Sequence, residues 1–293
     1  MRVSFALRPY FAGDTTGTRG VIDHSEQDSA FGTVSLMSET PRVSDRELDT
    51  AVAAAAAAAK ILAGSAGRVL AEVGRDIKSQ ADLDAESALL AVLRPTGLPI
   101  LSEEAGADDA FSLDRDGWII DPLDGTMNFV RGIPVACTCV ALWRDGRPVL
   151  GVTHELAADR AWVGGVGIPT TVAGVPCRCG TAMTPSDAVL ATGFPRGLDY
   201  SGEALAAYTR RMSAFKKIRM IGSAGLSLAW TAGGLMDLYL EEDIYLWDVA
   251  AGLALVEAAG GLAHFTPPDA GWQTTVCAGV ASLVQVEVAS TAG

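Results

Sequence analysis

The sequence predicts an α+β fold in which layers of helix alternate with layers of sheet, and three observations carry that prediction. A long alanine-rich stretch from Ser44 and a second apolar stretch from Asp82 have helical spacing. From Leu98 to about Gly180 come short apolar runs joined by turn residues, with the hairpin signal Asp145-Gly146 among them. From Ala188 onward single strand patterns alternate with helical ones. At 293 residues the chain forms one large domain or two intimately packed halves. Its composition, 49% apolar and 19% charged, is that of a globular protein rather than a disordered one.

Residues 1–42, rich in Gly, Ser, Thr and Asp, read as a flexible extension, with Met37 opening a second plausible beginning. Ser44 and Glu47 form a capping box before "LDTAVAAAAAAAKILAGSAGRVLAEVG", which reads as one long helix whose core face includes Ile61, Leu62, Val69 and Leu70. "DLDAESALLAVL" is a second helix, with Asp82 at its start and Leu83, Ala88, Leu89, Val92 and Leu93 at helical spacing. "LPILSEEAG" is a short strand running into Glu103 and Glu104, and "WIIDPLDGTMNFV" a covered strand that ends in Asp121 and Asp124. A hairpin follows in "VACTCVALWRDGRPVLGVTHE", and "AWVGGVG" and "TVAGVPCRCG" continue its sheet. The second half offers a strand at "AVLATGF", a helix from Glu203 to Phe215, a strand from Ile218 to Ile221 and a helix from Ser223 to Ala232. "DLYLEE" is a further strand and "WDVAAGLALVEAAGG" an apolar helix stopped by glycines.

A net charge of −13 argues against gripping nucleic acid through its phosphates, so an acidic protein that handles phosphate needs metal ions. No apolar stretch is long enough to span a membrane, and "MRVSFALRPYF" is too interrupted for a signal peptide; the expected location is cytoplasmic. Cys137, Cys139, Cys177, Cys179 and Cys277 lack zinc-finger spacing and read as small buried hydrophobes in a reducing compartment. His24, His154 and His264 follow no ligand spacing.

Five acids interrupt apolar surroundings: Asp82, Glu103, Asp121, Asp124 and Asp248. Singly, each has a structural reading: Asp82 and Asp248 as helix caps, Glu103 with Glu104 as a solvated pair, and DPLDG as a turn with capping aspartates. Together, with no local excess of Lys or Arg, they point to a carboxylate cluster held around cations. Hard oxygen ligands without Cys or His suit Mg²⁺, and Gly125-Thr126 at a helix start offers N–H groups to a phosphate.

In these motifs the chain resembles the inositol monophosphatase-like family, within the magnesium-dependent, lithium-sensitive sugar phosphatases. "WIIDPLDGTMNF" is similar to the family's first signature and "LWDVAAGLALVEAAGG" to its second. "SEEAG" resembles its Glu-Glu element and "DIKSQAD" its Asp-x-x-Thr-x-x-Asp element, with Ser79 for Thr. The resemblance runs from about residue 45 to 285. It implies a layered αβαβα sandwich of the inositol monophosphatase / fructose-1,6-bisphosphatase type, with residues 43–185 as a metal-binding half and 186–293 as a substrate-side half. It also implies a homodimer, and Mg²⁺ (or Mn²⁺) at two or three positions. Glu103, Asp121 and the Leu123 carbonyl would hold one ion, and Asp121, Asp124 and Asp248 a second. Asp82 with the Thr126 hydroxyl would position and deprotonate the attacking water, near a third, weaker ion. The backbone of Gly125 and Thr126 would receive the phosphate, and Arg219, Gly222, Ser223 and Glu241 would lie near the substrate's hydroxyls. The expected reaction is hydrolysis of a polyol, sugar or related monophosphate by a metal-activated water, without a covalent intermediate.

Three features bear on the substrate. Glu241, Glu242 and Asp243 form an acidic run that either favours an amine-bearing ester, such as histidinol phosphate or an amino-sugar phosphate, or is simply solvated. Arg196, Arg210, Arg211, Lys216 and Lys217 either serve a second phosphate, as in 3′-phosphoadenosine 5′-phosphate or fructose 1,6-bisphosphate, or line a helix face or dimer surface. Met127 stands where the family commonly has a second Thr, and Ala71 near the place of a frequent Lys, so no one relative's substrate transfers directly. A secondary-metabolite phosphatase fits the same motifs, and a metal-dependent binding protein that kept the fold is the alternative from another class.

Overall fold

The computed structural model describes residues 42–65, 69–73, 76–195, 197, 200–268 and 271–291. The expected extension, apart from Arg42, lies outside these residues, as do His24, Met37 and Arg196. The chain opens with α1 (Asp45–Gly64), a hairpin of β1 (Val69–Val73) and β2 (Asp76–Ser79), and α2 (Gln80–Leu93). Then come β3 (Ile100–Ser102), β4 (Gly106–Ala107), β5 (Gly117–Asp124), α3 (Thr126–Arg131), β6 (Cys137–Arg144) and β7 (Arg147–Glu155). Next are β8 (Arg160–Gly165), β9 (Ile168–Val172), β10 (Val175–Pro176), β11 (Val189–Ala191), α4 (Gly202–Ser213) and β12 (Lys217–Arg219). The remainder is α5 (Ala224–Ala232), β13 (Leu238–Tyr245), α6 (Leu246–Ala258), β14 (Leu262–Phe265), β15 (Gln273–Gly279) and α7 (Ala281–Thr291).

Two sheets carry the architecture: an eight-stranded one ordered β10-β9-β8-β7-β6-β5-β3-β4 and a five-stranded one ordered β12-β11-β13-β15-β14. Helices α1 and α2 cover one face of the larger sheet; α5 and α6 touch both sheets. Met212 and Phe215, in and after α4, join Leu283 and Val284 of α7 in a core with Leu190, Leu238 and Leu240 of the smaller sheet. The result is the expected αβαβα layering. Sequence explains the middle layer directly: α6 is apolar on every side, with every position from Leu246 to Val256 buried save Asp248, as a helix between two sheets must be. Every residue of β5 and β6 is buried, so neither face of those strands meets bulk solvent.

The first helix is shorter than expected. It begins with the predicted box, in which the Ser44 hydroxyl accepts from the Glu47 N–H and the Glu47 carboxylate from the Ser44 N–H, but it stops at Gly64. Val69 and Leu70 lie instead in β1, paired antiparallel with β2. Gly64 and Ser65 break the helix, and Ser65 donates from both backbone and hydroxyl to the Leu62 carbonyl. The buried face is therefore mostly alanine (Ala51, Ala54, Ala55, Ala58, Ala59) with Leu62, while Ile61 is exposed. Leu83 of α2 is exposed too; Ala81, Ala85, Leu89 and Leu93 form its core face. The expected strand from Ile218 to Ile221 is β12, displaced to begin at Lys217.

Candidate functional site

The site begins with an interruption in β5. Strand β5 pairs with β6 up to Asp121 opposite Cys139, resumes at Asp124 opposite Cys137, and bulges between. Pro122 has no N–H for the ladder, which is why the irregularity falls there. Thr138 donates its hydroxyl to the Pro122 carbonyl at 2.9 Å, and the Leu123 N–H donates to Asp121 Oδ1 at 2.9 Å. The chain then turns through Gly125 at φ +87°, where a side chain would meet the Val135 carbonyl at 2.9 Å and the Gly222 carbonyl at 3.2 Å. Only glycine fits so positive a φ at such close approach.

Asp124 is buried against the start of α5. Its Oδ2 accepts from the Ser223 hydroxyl at 2.5 Å and the Gly225 N–H at 2.7 Å, and its Oδ1 from the Ala224 N–H at 3.3 Å. Asp82 lies in the first turn of α2 and Asp248 in that of α6, so three carboxylates sit at helix N-termini, where unpaired N–H groups favour negative charge. Thr126 links two of the elements: its hydroxyl is 3.2 Å from Asp82 Oδ1 and 3.0 Å from the Leu123 carbonyl. Asn128, absent from the sequence expectations, fastens α3 by donating to the Val135, Ile221 and Gly222 carbonyls.

These residues border a cleft of about 420 Å³ lined by Glu103, Asp121, Leu123, Asp124, Gly125, Thr126, Gly222, Ser223, Glu241 and Asp248 among others. Asp82 stands behind Thr126. Arg219 is not a lining residue: it is exposed at the end of β12, with its Nη1 on the Ile218 carbonyl. Ser223 is a lining residue, but its hydroxyl is engaged with Asp124 and caps α5. The lining also takes in Thr192, Gly193, Phe194, Met220 and Ile244. Several of these follow the C-terminal end of β11, which is parallel to both of its neighbours, a place where α/β sheets open crevices. Of the acidic run only Glu241 lines the cleft; Glu242 pairs with Arg211 at 2.8 Å.

Among the described residues, no Lys, Arg or His lines the cleft. Burial raises the Asp121 carboxyl well above its ordinary range, and Glu103, Asp124 and Asp248 raise it further. Asp124 is raised by burial, although Ser223, Gly225, Cys137 and Ala224 favour its charge. Glu103 is pushed up to about 7 by burial, with Glu104, Asp82 and Asp124 adding to the shift and its hydrogen bond with Asp121 opposing it. A set of hard oxygen donors that repel one another and lack a protein cation fits divalent, oxygen-preferring metal ions.

A pH dependence follows. In the metal-free protein the folded Glu103 carboxyl holds its proton up to about 7, whereas the unfolded one releases it near 4.5. The folded state therefore binds more protons in that window, and stability is lost as pH rises through it. Glu103→Gln should flatten the fall in melting temperature between those pH values in EDTA, while saturating Mg²⁺ should suppress it in the parent protein. Parallel curves for parent and variant in EDTA would count against the cluster's charge coupling.

The model of the inositol monophosphatase family matches residues 44–285. An inositol-1-monophosphatase of Rhizobium meliloti is 39% identical over 194 residues, which cover 64% of this chain and 71% of the relative. One from Mesorhizobium japonicum is 37% identical over 190 residues with the same coverage. Among solved structures, the inositol monophosphatase of Anabaena matches with a TM-score of 0.69 at 30% identity, covering 80% of this chain and 90% of that one. The extragenic suppressor protein suhB of Bartonella henselae matches with a TM-score of 0.72 at 28% identity, covering 83% and 96%.

Proposed function

Because the chain belongs to the inositol monophosphatase family and is a phosphoric monoester hydrolase, we propose that its cleft hydrolyses an inositol monophosphate-like ester of a small polyol or sugar, with Mg²⁺ as cofactor. The observation that carries this reading is the meeting of carboxylates from β5, α6 and the end of β3 in one cleft, with that of α2 bonded to Thr126 beside them, where among the described residues no Lys, Arg or His lines the wall. Glu103, Asp121, Asp124, Asp248 and the Leu123 carbonyl would hold the ions. When bound, these make water a nucleophile near neutral pH and neutralise charge developing on the leaving oxygen.

The chain's own groups supply the proton path and the substrate's seat. Thr126 Oγ1 takes a proton from the attacking water and passes its own to Asp82 Oδ1, to which it is already hydrogen-bonded at 3.2 Å. Gly125 and Thr126 border the phosphate's position, and Gly222 and Glu241 that of the alcohol. Glu241 is steadied by the Tyr239 hydroxyl at 2.8 Å and is suited to accept hydrogen bonds from a polyol. Its neighbour Glu242 is neutralised by Arg211, which removes most of the case for an amine-selective lip. Among the described basic residues of that set, Arg210, Arg211, Lys216 and Lys217 do not line the cleft, which weighs against their serving a second phosphate; Arg196 lies outside the described residues. The reading includes a lithium-sensitive, cytoplasmic homodimer that binds neither nucleic acid nor membrane, and the net charge of −13 favours the former exclusion. No helix among the described residues is long and apolar enough to cross a membrane.

The test is phosphate release, with and without Mg²⁺, from inositol 1-phosphate, amine-bearing, sugar and nucleoside monophosphates, and fructose 1,6-bisphosphate. Mg²⁺-dependent release, greatest with the polyol ester, is expected. Glu241→Gln should raise KM for that ester about tenfold with kcat little changed, and leave esters without extra hydroxyls unaffected. Metal binding without release from any ester would favour a binding protein instead.

A further inference from the structure

Cys137 and Cys139 stand two apart on β6, so both thiols emerge on the same face of the strand, under the carboxylate floor. Their sulfurs are 3.8 Å apart, and Cys137 Sγ is 3.4 Å from Asp124 Oδ2. A ligand atom from each of Asp124, Cys137 and Cys139 lies within 4.8 Å of the other two. In a tetrahedral site with metal–sulfur bonds of about 2.3 Å and metal–oxygen bonds of about 2.0 Å, two sulfurs are separated by ~3.8 Å and a sulfur and an oxygen by ~3.5 Å. The Cys137–Cys139 and Cys137–Asp124 separations match these two values. Ser223 Oγ is 3.7 Å from Cys137 Sγ but is engaged, donating to Asp124 Oδ2 and accepting from the Leu226 N–H.

A second observation concerns Gly225. A Cβ at that residue would lie 2.4 Å from Cys139 Sγ and 2.9 Å from both Cys137 Sγ and Asp124 Oδ2, amid all three donors. The start of α5 approaches the trio only because it carries no side chain there. Asp124, with Ser223 and Ala224, also belongs to the wall of the cleft, whereas Cys137 and Cys139 are buried behind it.

We propose that Asp124, Cys137 and Cys139 form an inhibitory site for a thiophilic divalent cation of the zinc class. Both thiols give up their protons to solvent on ligation, and the cation takes the place at Asp124 Oδ2 of one of its present donors, the Ser223 hydroxyl or the Gly225 N–H. Asp124 then serves a soft ion with the carboxylate that the hydrolytic reaction needs for a hard one. This consequence rests on the proposed role of Asp124 in holding Mg²⁺; the binding site itself does not.

The experiment titrates Cd²⁺ into the full chain at saturating Mg²⁺, reading ultraviolet thiolate-to-cadmium absorption and phosphate release together. In the parent protein one equivalent should bring in the absorption and cut release at least tenfold. Cys137→Ala with Cys139→Ala should keep Mg²⁺-dependent release, resist Cd²⁺ and lose that absorption; any remainder belongs to Cys177, Cys179 or Cys277. A Cys137→Ser, Cys139→Ser pair makes the same comparison if the alanine pair does not fold. Absorption unchanged in the double variants would overturn the site, and equal inhibition of parent and variants would place the inhibitory ion among the cleft carboxylates. A parent protein that binds Cd²⁺ through these cysteines but releases no phosphate would overturn the proposed reaction and the inhibitory role while leaving the site in place.

Discussion

Asp121→Asn is expected to abolish Mg²⁺-dependent phosphate release and, in the same protein, to raise the melting temperature measured without metal. The loss should be about 10³-fold or more, roughly 4 kcal/mol of transition-state stabilisation, because the side chain is the one shared by both proposed metal positions. The gain in stability has a separate origin. Asp121 is 1% exposed, and its charge is opposed first by burial and then by Glu103, Asp124 and Asp248. Asparagine removes the charge yet keeps an oxygen for the Leu123 N–H. Since the folded carboxyl is raised above its ordinary value, its cost grows with pH, and the difference between variant and parent should be largest at alkaline pH and vanish in acid. An increase of about 3 °C would correspond to roughly 1 kcal/mol in a domain of this size. Phosphate release and thermal melts in EDTA and in Mg²⁺ check both halves. A variant that retains activity would dismiss the ligand assignment; one that melts lower in EDTA would dismiss the repulsion.

Asp82→Asn should lower kcat by ~10²–10⁴-fold, the range for loss of a positioned proton acceptor, with KM and Mg²⁺ affinity changed little. Asp82 is 2% exposed and meets the cleft through the Thr126 hydroxyl. The Thr126 series separates proton transfer from packing: Thr126→Ser keeps the hydroxyl and should keep most of the activity, whereas Thr126→Val keeps the shape and should fall toward the Asp82→Asn level. Equal activity of the Ser and Val variants would show that the hydroxyl carries no proton. A weakened Mg²⁺ response in Asp82→Asn, with kcat restored at high metal, would make Asp82 a ligand rather than a base.

The layers and the carboxylates were legible because local signals agree with tertiary demands. An all-apolar segment such as "LWDVAAGLALVEAA" has no solvent face to offer, and a Pro between two aspartates at a strand end cannot continue a ladder. The end of α1 was misread because Val69 and Leu70 continue a helical spacing while also suiting a strand, and tertiary pairing with β2 decides between them. In the site, what escaped were contacts between distant segments. Nothing near Asn128 announces its bonds to Ile221 and Gly222, and nothing near Glu242 announces Arg211. Arg219, chosen by motif position, is exposed at the end of β12 with its guanidinium on the Ile218 carbonyl.

The order of strands in the smaller sheet has a consequence for biosynthesis. Strand β13, which carries Glu241 and leads directly into the helix bearing Asp248, lies between β11 and β15. Its second neighbour, Gln273–Gly279, comes after both of these acids in the chain. Every acidic motif has therefore left the ribosome before the sheet that positions the last of them can close. A nascent chain stalled before residue 273 holds the whole complement of carboxylates without the strand that flanks β13, so catalytic competence arrives with β15 rather than with the last catalytic residue.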